Sequence, residues 1–473
     1  MKRTVLSIML ITVLLNACTQ QHPTLDDFII NDDIVQDAED LLNDDPNKGI
    51  ELEKDAAGGV VTSKNPSEPT ARDVKKEKQE PLTIPEIVHK EVIAPKKSQL
   101  KSREAVAKPW ASFKRRPQEF FFVNKPAQTG FFNPNDLGRH LLGQDEASAT
   151  KDFALMDHTK AIMDMKASYE DRNLSKMRIW RDQNLIFIPH QDETLFYPFS
   201  GPDVVNMLTF FPNQQTYVMM GMEHVGTAES VKEWMKPLTK SKMTTIRKAV
   251  ESVFVRSFFR TLDMSSDFSR NGTRGVLPGM LLMLKLMDRE VTSVQWVTLN
   301  ENGTLRYLTP EETKMPCANF GLQVKLSHPT QGYEQTLYYF KTDLADDAAM
   351  KNSGLRSFIE SKIGTTMTFV KSASFLMHMK EFNWIRKTLL TISRAVLQDD
   401  TGIPFKYYNQ NTWSPRLYGQ YVGPYGESFA AFQQPNLNRA YADQPLQLLD
   451  FNFGYGYAKI PSHLMLFIRK DIN

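Results

Sequence analysis

The string Ile188-Pro189-His190-Gln191-Asp192-Glu193-Thr194-Leu195 sets one histidine and two carboxylates within four residues. An imidazole and a carboxylate can hold a divalent cation, while a second carboxylate takes a proton from the water that the cation polarises. His190, Asp192 and Glu193 can therefore together offer two metal ligands and a carboxylate base. A solvated polar turn after a strand has the same composition, so both readings stand. Two further carboxylate sets, Asp203 with Glu223 and Asp399 with Asp400, are of the kind that acid-base work on glycans uses. Asp399-Asp400-Thr401-Gly402 also reads as a turn closing a helix. Ser200-Gly201-Pro202-Asp203 lacks the Gly-x-Ser-x-Gly pattern of a nucleophile elbow, which gives a serine hydrolase little support. Cys317 reads as a small buried apolar residue.

The elements that must position these groups follow from hydrophobic patterning. Asn184 to Pro189 reads as a buried strand, and Leu195 to Phe199 as a second strand-like run interrupted by Pro198. A short helix is expected from Asp203 to about Phe211 and a strand from Tyr217 to Met222. This βαβ-like succession puts Ser200-Gly201-Pro202-Asp203 and Glu223-His224 at strand ends, where open α/β sheets bind ligands. Amphipathic helices are expected over Met243 to Leu262 and Phe382 to Leu397. Further strands are expected at Ser293–Leu299, Leu305–Leu308, Leu322–Leu326, Gln335–Lys341 and Thr366–Val370, with Asn300-Glu301-Asn302-Gly303 as a hairpin turn. In the tail, Phe451, Phe453, Tyr455 and Tyr457 alternate, as the residues on one face of a strand do. Such a face either covers the core or stacks on sugar rings.

Totals hide an uneven chain. Its 473 residues carry a net charge of +2 and are 41% hydrophobic and 11% aromatic, which excludes a strongly basic nucleic-acid binder, a polytopic membrane protein and a disulfide scaffold. Yet Phe28 is the one aromatic residue before Trp110. From Asp26 to Asp55 there are twelve acidic residues against Lys48 and Lys54, and from Lys96 to Arg116 eight basic residues against Glu104. Block charge with so little apolar surface cannot offset chain entropy, so this stretch is expected to be a disordered tether. Its reach would be about 50 to 60 Å.

At the start stand Lys2-Arg3, an apolar run from Val5 to Leu15, and Leu15-Asn16-Ala17-Cys18. This is the layout of a secretory signal, and the last four residues resemble the lipobox of bacterial lipoproteins, with Asn16 in place of the usual small residue. The resemblance implies that Cys18 is lipidated, palmitate included, and becomes the mature N-terminus. Thr19, rather than Asp, implies the outer membrane. The His190 string resembles the Pro-His-Pro-Asp-Asp-Glu motif of zinc-dependent N-acetylglucosaminyl deacetylases, with Gln191 replacing proline and Glu193 replacing the ligand aspartate. That resemblance implies zinc on His190 and Glu193 with Asp192 as base. No His-rich segment supplies a third ligand, and His158, His224 and His328 are the remaining histidines considered for it. The Ser200 turn, its helix and Glu223 are similar to the first unit of a methyltransferase or dinucleotide fold, without a full Gly-x-Gly-x-x-Gly; we expect such a fold to be used without its cofactor.

The expected organisation is a signal peptide over 1–17, a lipidated Cys18 and tether over 18–109, and one large α/β body over 110–473. That body has a mixed sheet in three layers and an aromatic-rich part from about 403. The expected function is an outer-membrane lipoprotein facing the periplasm or the cell surface. Its body binds or scaffolds an envelope component, a glycan or another envelope protein, with no catalysis, no cofactor and no nucleic acid. The alternative is a zinc-dependent hydrolase of envelope polysaccharide.

Overall fold

A computed structural model describes residues 120–470, apart from 121, 127–129, 145–151, 186–193, 255–274, 316–318, 331, 362, 365, 425–426, 446 and 456–461. The signal, Cys18, the tether, His190, Asp192, Glu193 and Cys317 lie outside the described residues.

The chain enters through helices α1 (Pro134–Leu142), α2 (Phe153–Tyr169) and α3 (Ser175–Asn184). Then follow β1 (Thr194–Tyr197), α4 (Val204–Phe210) and β2 (Thr216–Gly221), the expected βαβ unit, with its two strands parallel. Helices α5 (Ala228–Trp234), α6 (Lys240–Phe254) and α7 (Leu277–Leu286) lead to β3 (Glu290–Leu299), β4 (Leu305–Tyr307), β5 (Gly321–Ser327) and β6 (Glu334–Lys341). The remainder comprises α8 (Asp346–Lys351), α9 (Ser353–Ser361), β7 (Thr366–Val370), α10 (Asn383–Ile392), β8 (Ser393–Gln398), β9 (Trp413–Gly419), α11 (Pro435–Ala442) and β10 (His463–Arg469).

Ten strands form one sheet in the order β4-β3-β5-β6-β2-β1-β7-β8-β10-β9. The central five, β6-β2-β1-β7-β8, are parallel and follow the 3-2-1-4-5 order of doubly wound folds. Antiparallel strands extend the sheet on both sides. Because central parallel strands are covered on both faces, β1, β2 and β7 are buried along their whole length. Leu195, Tyr197, Tyr217 and Met219 belong to one core with the α1 to α7 side. Phe196, Val218 and Met220 turn to a second core with Phe358, Ile385, Leu389 and Leu437. The result is a three-layer α/β domain, as expected from the patterning.

Three elements differ from expectation. Asn184 closes α3, its Nδ2 donating to Trp180 O at 2.8 Å, and Leu185 is a turn residue. The expected strand therefore does not begin there, and its remainder lies outside the described residues. The expected helix from Phe382 to Leu397 stops at Ile392, and Ser393–Gln398 is strand β8. Apolar spacings of three and four fit either state in a short window, and pairing with β7 and β10 decides it. Phe451 and Phe453 are not in a strand, although both are buried against Phe210 and the core. Gly454, with φ +67°, breaks the extended run. Residues 456–461, with Tyr457, lie outside the described residues.

Candidate functional site

In an open parallel sheet, neighbouring loops part company where the strand order reverses, and ligands bind outside the carboxyl ends there. Here the reversal falls between β1 and β7, which are hydrogen-bonded neighbours. Loop 198–203 leaves β1 and loop 371–375 leaves β7. They hold four of the six non-glycine residues with positive φ among the described residues: Phe199 (56°), Ser372 (54°), Ser374 (51°) and Phe375 (57°). Each such residue costs about 1–3 kcal/mol and persists only where its surroundings fix it. The surroundings do fix them. Ser200 N donates to Met220 O at 2.8 Å, Ser372 N to Asp399 Oδ2 at 2.8 Å, and Ala373 N to Thr401 Oγ1 at 2.7 Å.

Beneath these loops lies a buried charge cluster. Asp203 caps the amino end of α4, accepting from Asn206 N at 3.1 Å, and also accepts from Asn206 Nδ2 and from Tyr197 Oη at 3.1 Å. Lys371 Nζ stands 3.7 Å from Asp203 Oδ2. Burial holds the Lys371 ammonium below its usual range, against the pull of Asp203 and Asp399. Asp399 accepts from Ser372 N, Thr401 N and Thr401 Oγ1; burial, and then the neighbouring Asp400, push its carboxyl above the usual range. Tyr197 is raised well above the ordinary phenol by burial and by Asp203, so it serves as a neutral donor. Asp203, Lys371 and Asp399 are 3%, 3% and 1% exposed. Charges so enclosed are stabilised by pairing and by hydrogen bonds rather than by water.

The β2 side is closed in another way. Glu223 lies 22 residues after Gly201, close to the spacing at which an acidic residue meets a ribose in dinucleotide folds. Its carboxylate accepts from Tyr339 Oη at 3.0 Å. A Cβ on Gly201 would sit 3.4 Å from Glu223 Oε1, and one on Gly221 would collide with Oε2. The space that the two glycines leave is thus filled by this chain's own carboxylate. Ser200 Oγ turns back to Gly201 O at 2.8 Å and Met220 O at 3.2 Å, away from any nucleophilic role.

Asp399-Asp400, expected at a helix end, instead follows strand β8 at the carboxyl edge of the sheet. The turn itself is present, running through Asp400 and Thr401. His463 Nε2 lies 3.2 Å from Asp400 Oδ1 and 3.1 Å from Asp400 N, so it faces the carboxylate as a donor or the amide as an acceptor. Burial works against the imidazolium, and Asp400 outweighs it, leaving His463 above its ordinary range. His378 Nε2 meets Asp400 O at 2.9 Å, and burial holds this imidazole down to about 4.

The histidines considered as third ligands are each engaged locally. His158 Nε2 meets Leu141 O, His224 Nδ1 accepts from Gly226 N, and His328 Nε2 meets Asn213 Oδ1. Among the described residues no group of three or more His, Cys, Asp and Glu could hold a metal ion, and none of the helices there is long and apolar enough to cross a membrane. Sequence reasoning found Asp203, Glu223 and the Asp399-Asp400 pair but missed Lys371, Tyr339 and His463. A lysine directly after the expected Thr366–Val370 strand was the available signal for the first. No known protein family, curated protein or solved structure matches the chain.

Proposed function

We propose that this protein is a lipid-anchored protein of the bacterial outer membrane whose α/β body binds or scaffolds an envelope component without catalysis. Cys18 carries the lipid, residues 18–109 are the tether, and the body faces the periplasm or the cell surface. The lipobox-like Leu15-Asn16-Ala17-Cys18 supports the anchor.

One observation supports use of the fold without a nucleotide-type cofactor: the Glu223 carboxylate fills the space above Gly201 and Gly221 that such a group would need. To admit such a ligand, Glu223 would have to leave Tyr339. What the strand-end loops present outward is different. Ser374 is exposed, and half-buried Tyr455 joins its hydroxyl to Ser374 Oγ and Ser372 O, both at 2.9 Å. Hydroxyls beside an aromatic ring suit an envelope glycan or a polar segment of another envelope protein.

The test is membrane fractionation of wild type and Cys18→Ala in the native cell. Wild type should sediment with the outer membrane and the variant should leave it. Equal sedimentation of both would overturn the anchor.

A further inference from the structure

The buried Asp399 ties together two loops at the carboxyl edge of the sheet. Its Oδ2 accepts from Ser372 N at 2.8 Å, and Gly454 packs so close to that oxygen that a Cβ there would collide with it. Thr401, bonded to Asp399 Oδ1, fixes the next amide by accepting from Ala373 N at 2.7 Å. Held in this way, the left-handed pair Ser374-Phe375 leaves Ser374 exposed and turns Phe375 inward, 3% exposed. Tyr455, the residue after Gly454, is half-buried, and its hydroxyl meets Ser374 Oγ and Ser372 O at 2.9 Å. Phe432, also half-buried, stacks on Phe375 with centroids 4.9 Å apart and planes 5° apart. An exposed hydroxyl thus stands beside two partly open rings, one in direct contact and the other one ring away.

We propose, on the binding reading above, that Ser374, Tyr455 and Phe432 form a subsite for a neutral sugar ring, so that the envelope component is a glycan rather than a protein segment. The rings take the apolar face of the sugar, and the hydroxyls, which both donate and accept, meet its hydroxyl groups. None of the three side chains is charged, and the charges beneath face one another, Lys371 with Asp203 and His463 with Asp400, which favours a neutral ligand over an ionic one. An extended protein segment would pair with an open strand edge, whereas β7 and β8, whose ends carry this loop and Asp399, each have a neighbour on both sides. Holding hydroxyls and rings in place before the sugar arrives lowers the entropy lost on binding.

The test is isothermal titration of the full-length protein with cellotetraose and with tetra-N-acetylchitotetraose, with far-UV circular dichroism as the folding check. At least one of the two should bind saturably with a Kd below about 10 mM. Tyr455→Ala should weaken it about tenfold or more and Ser374→Ala about threefold. Phe153→Ala, which removes an exposed ring at the start of α2, should leave it unchanged. Should Tyr455→Ala lose its fold, Tyr455→Phe serves, with a loss of about threefold. Binding that the Tyr455 and Ser374 variants leave intact, or that Phe153→Ala weakens equally, overturns the site. No saturable heat with either sugar up to about 10 mM overturns the sugar assignment; the binding reading itself then survives if the protein retains a defined envelope protein, and falls if it retains no envelope material.

Discussion

At the amino ends of the strands, buried polar groups meet mostly neutral partners. Gln335 donates to Pro212 O, Gln214 O and Tyr217 Oη, and the Arg289 guanidinium reaches Gln335 Oε1 and Pro212 O. At the carboxyl ends, carboxylates face basic side chains: Asp203 with Lys371, and Asp400 with His463. There too stand Phe199, Ser372, Ser374 and Phe375 in the left-handed region. The amino end holds one such residue, Asp288, beside the buried Arg289 guanidinium, and the carboxyl end gathers four of them with its buried charge pairs. In α/β proteins the second pattern marks the end where ligands are met. Here the same pattern is closed over by its own side chains.

The largest effect that would sharpen this contrast is expected from Lys371→Met, which leaves Asp203 and Asp399 without their cation. Breaking a buried pair from one side costs about 3–5 kcal/mol, to be read as a lowered urea midpoint. A loss below about 1 kcal/mol would mean that the cluster is solvated rather than sealed.

Next comes acid. His378 is held down to about 4 by burial, so it is neutral in the folded protein. A lowered value gives stability that is present above the ordinary 6.5 and is lost as pH falls toward 4, by about 3 kcal/mol in all. His378→Gln should flatten that part of the stability profile. His463 has the opposite sign: its raised value gives stability that is lost as pH rises through it. His463→Gln should therefore change the slope of the stability profile in the sense opposite to His378→Gln, and changes of the same sign would break the assignment.

Two smaller effects separate the ends by function. Tyr455→Phe removes the hydroxyl that meets Ser374 Oγ and Ser372 O, costing about 1–3 kcal/mol and weakening partner binding. Gln335→Leu leaves Pro212 O and Gln214 O short of a donor for a similar loss of about 1–3 kcal/mol, yet should leave binding unchanged. Equal binding losses in a pull-down with envelope material would erase the distinction.

Much of the fold was legible because central parallel strands are apolar on both faces and punctuated by turns. Thr366–Val370 and the β1-α4-β2 unit were readable for that reason, and Asp203 stands out as a cap before Val204. Strand β8 was misread because Ile385, Leu389, Ile392 and Val396 keep helical spacing through a boundary that only pairing with β7 and β10 creates. The site was less legible. The meeting of Lys371 with Asp203 joins residues 168 apart in sequence, and no local pattern encodes a contact set by strand order. The folding of Glu223 onto two glycines is equally non-local in cause, since it depends on Tyr339 from β6.

The strand-end crevice is filled by the protein itself. Isothermal titration of the purified protein with S-adenosylmethionine, NAD and ATP, each up to about 1 mM, measures this directly. No saturable heat is predicted for any of the three, and a saturable isotherm with a micromolar Kd for one of them would contradict it.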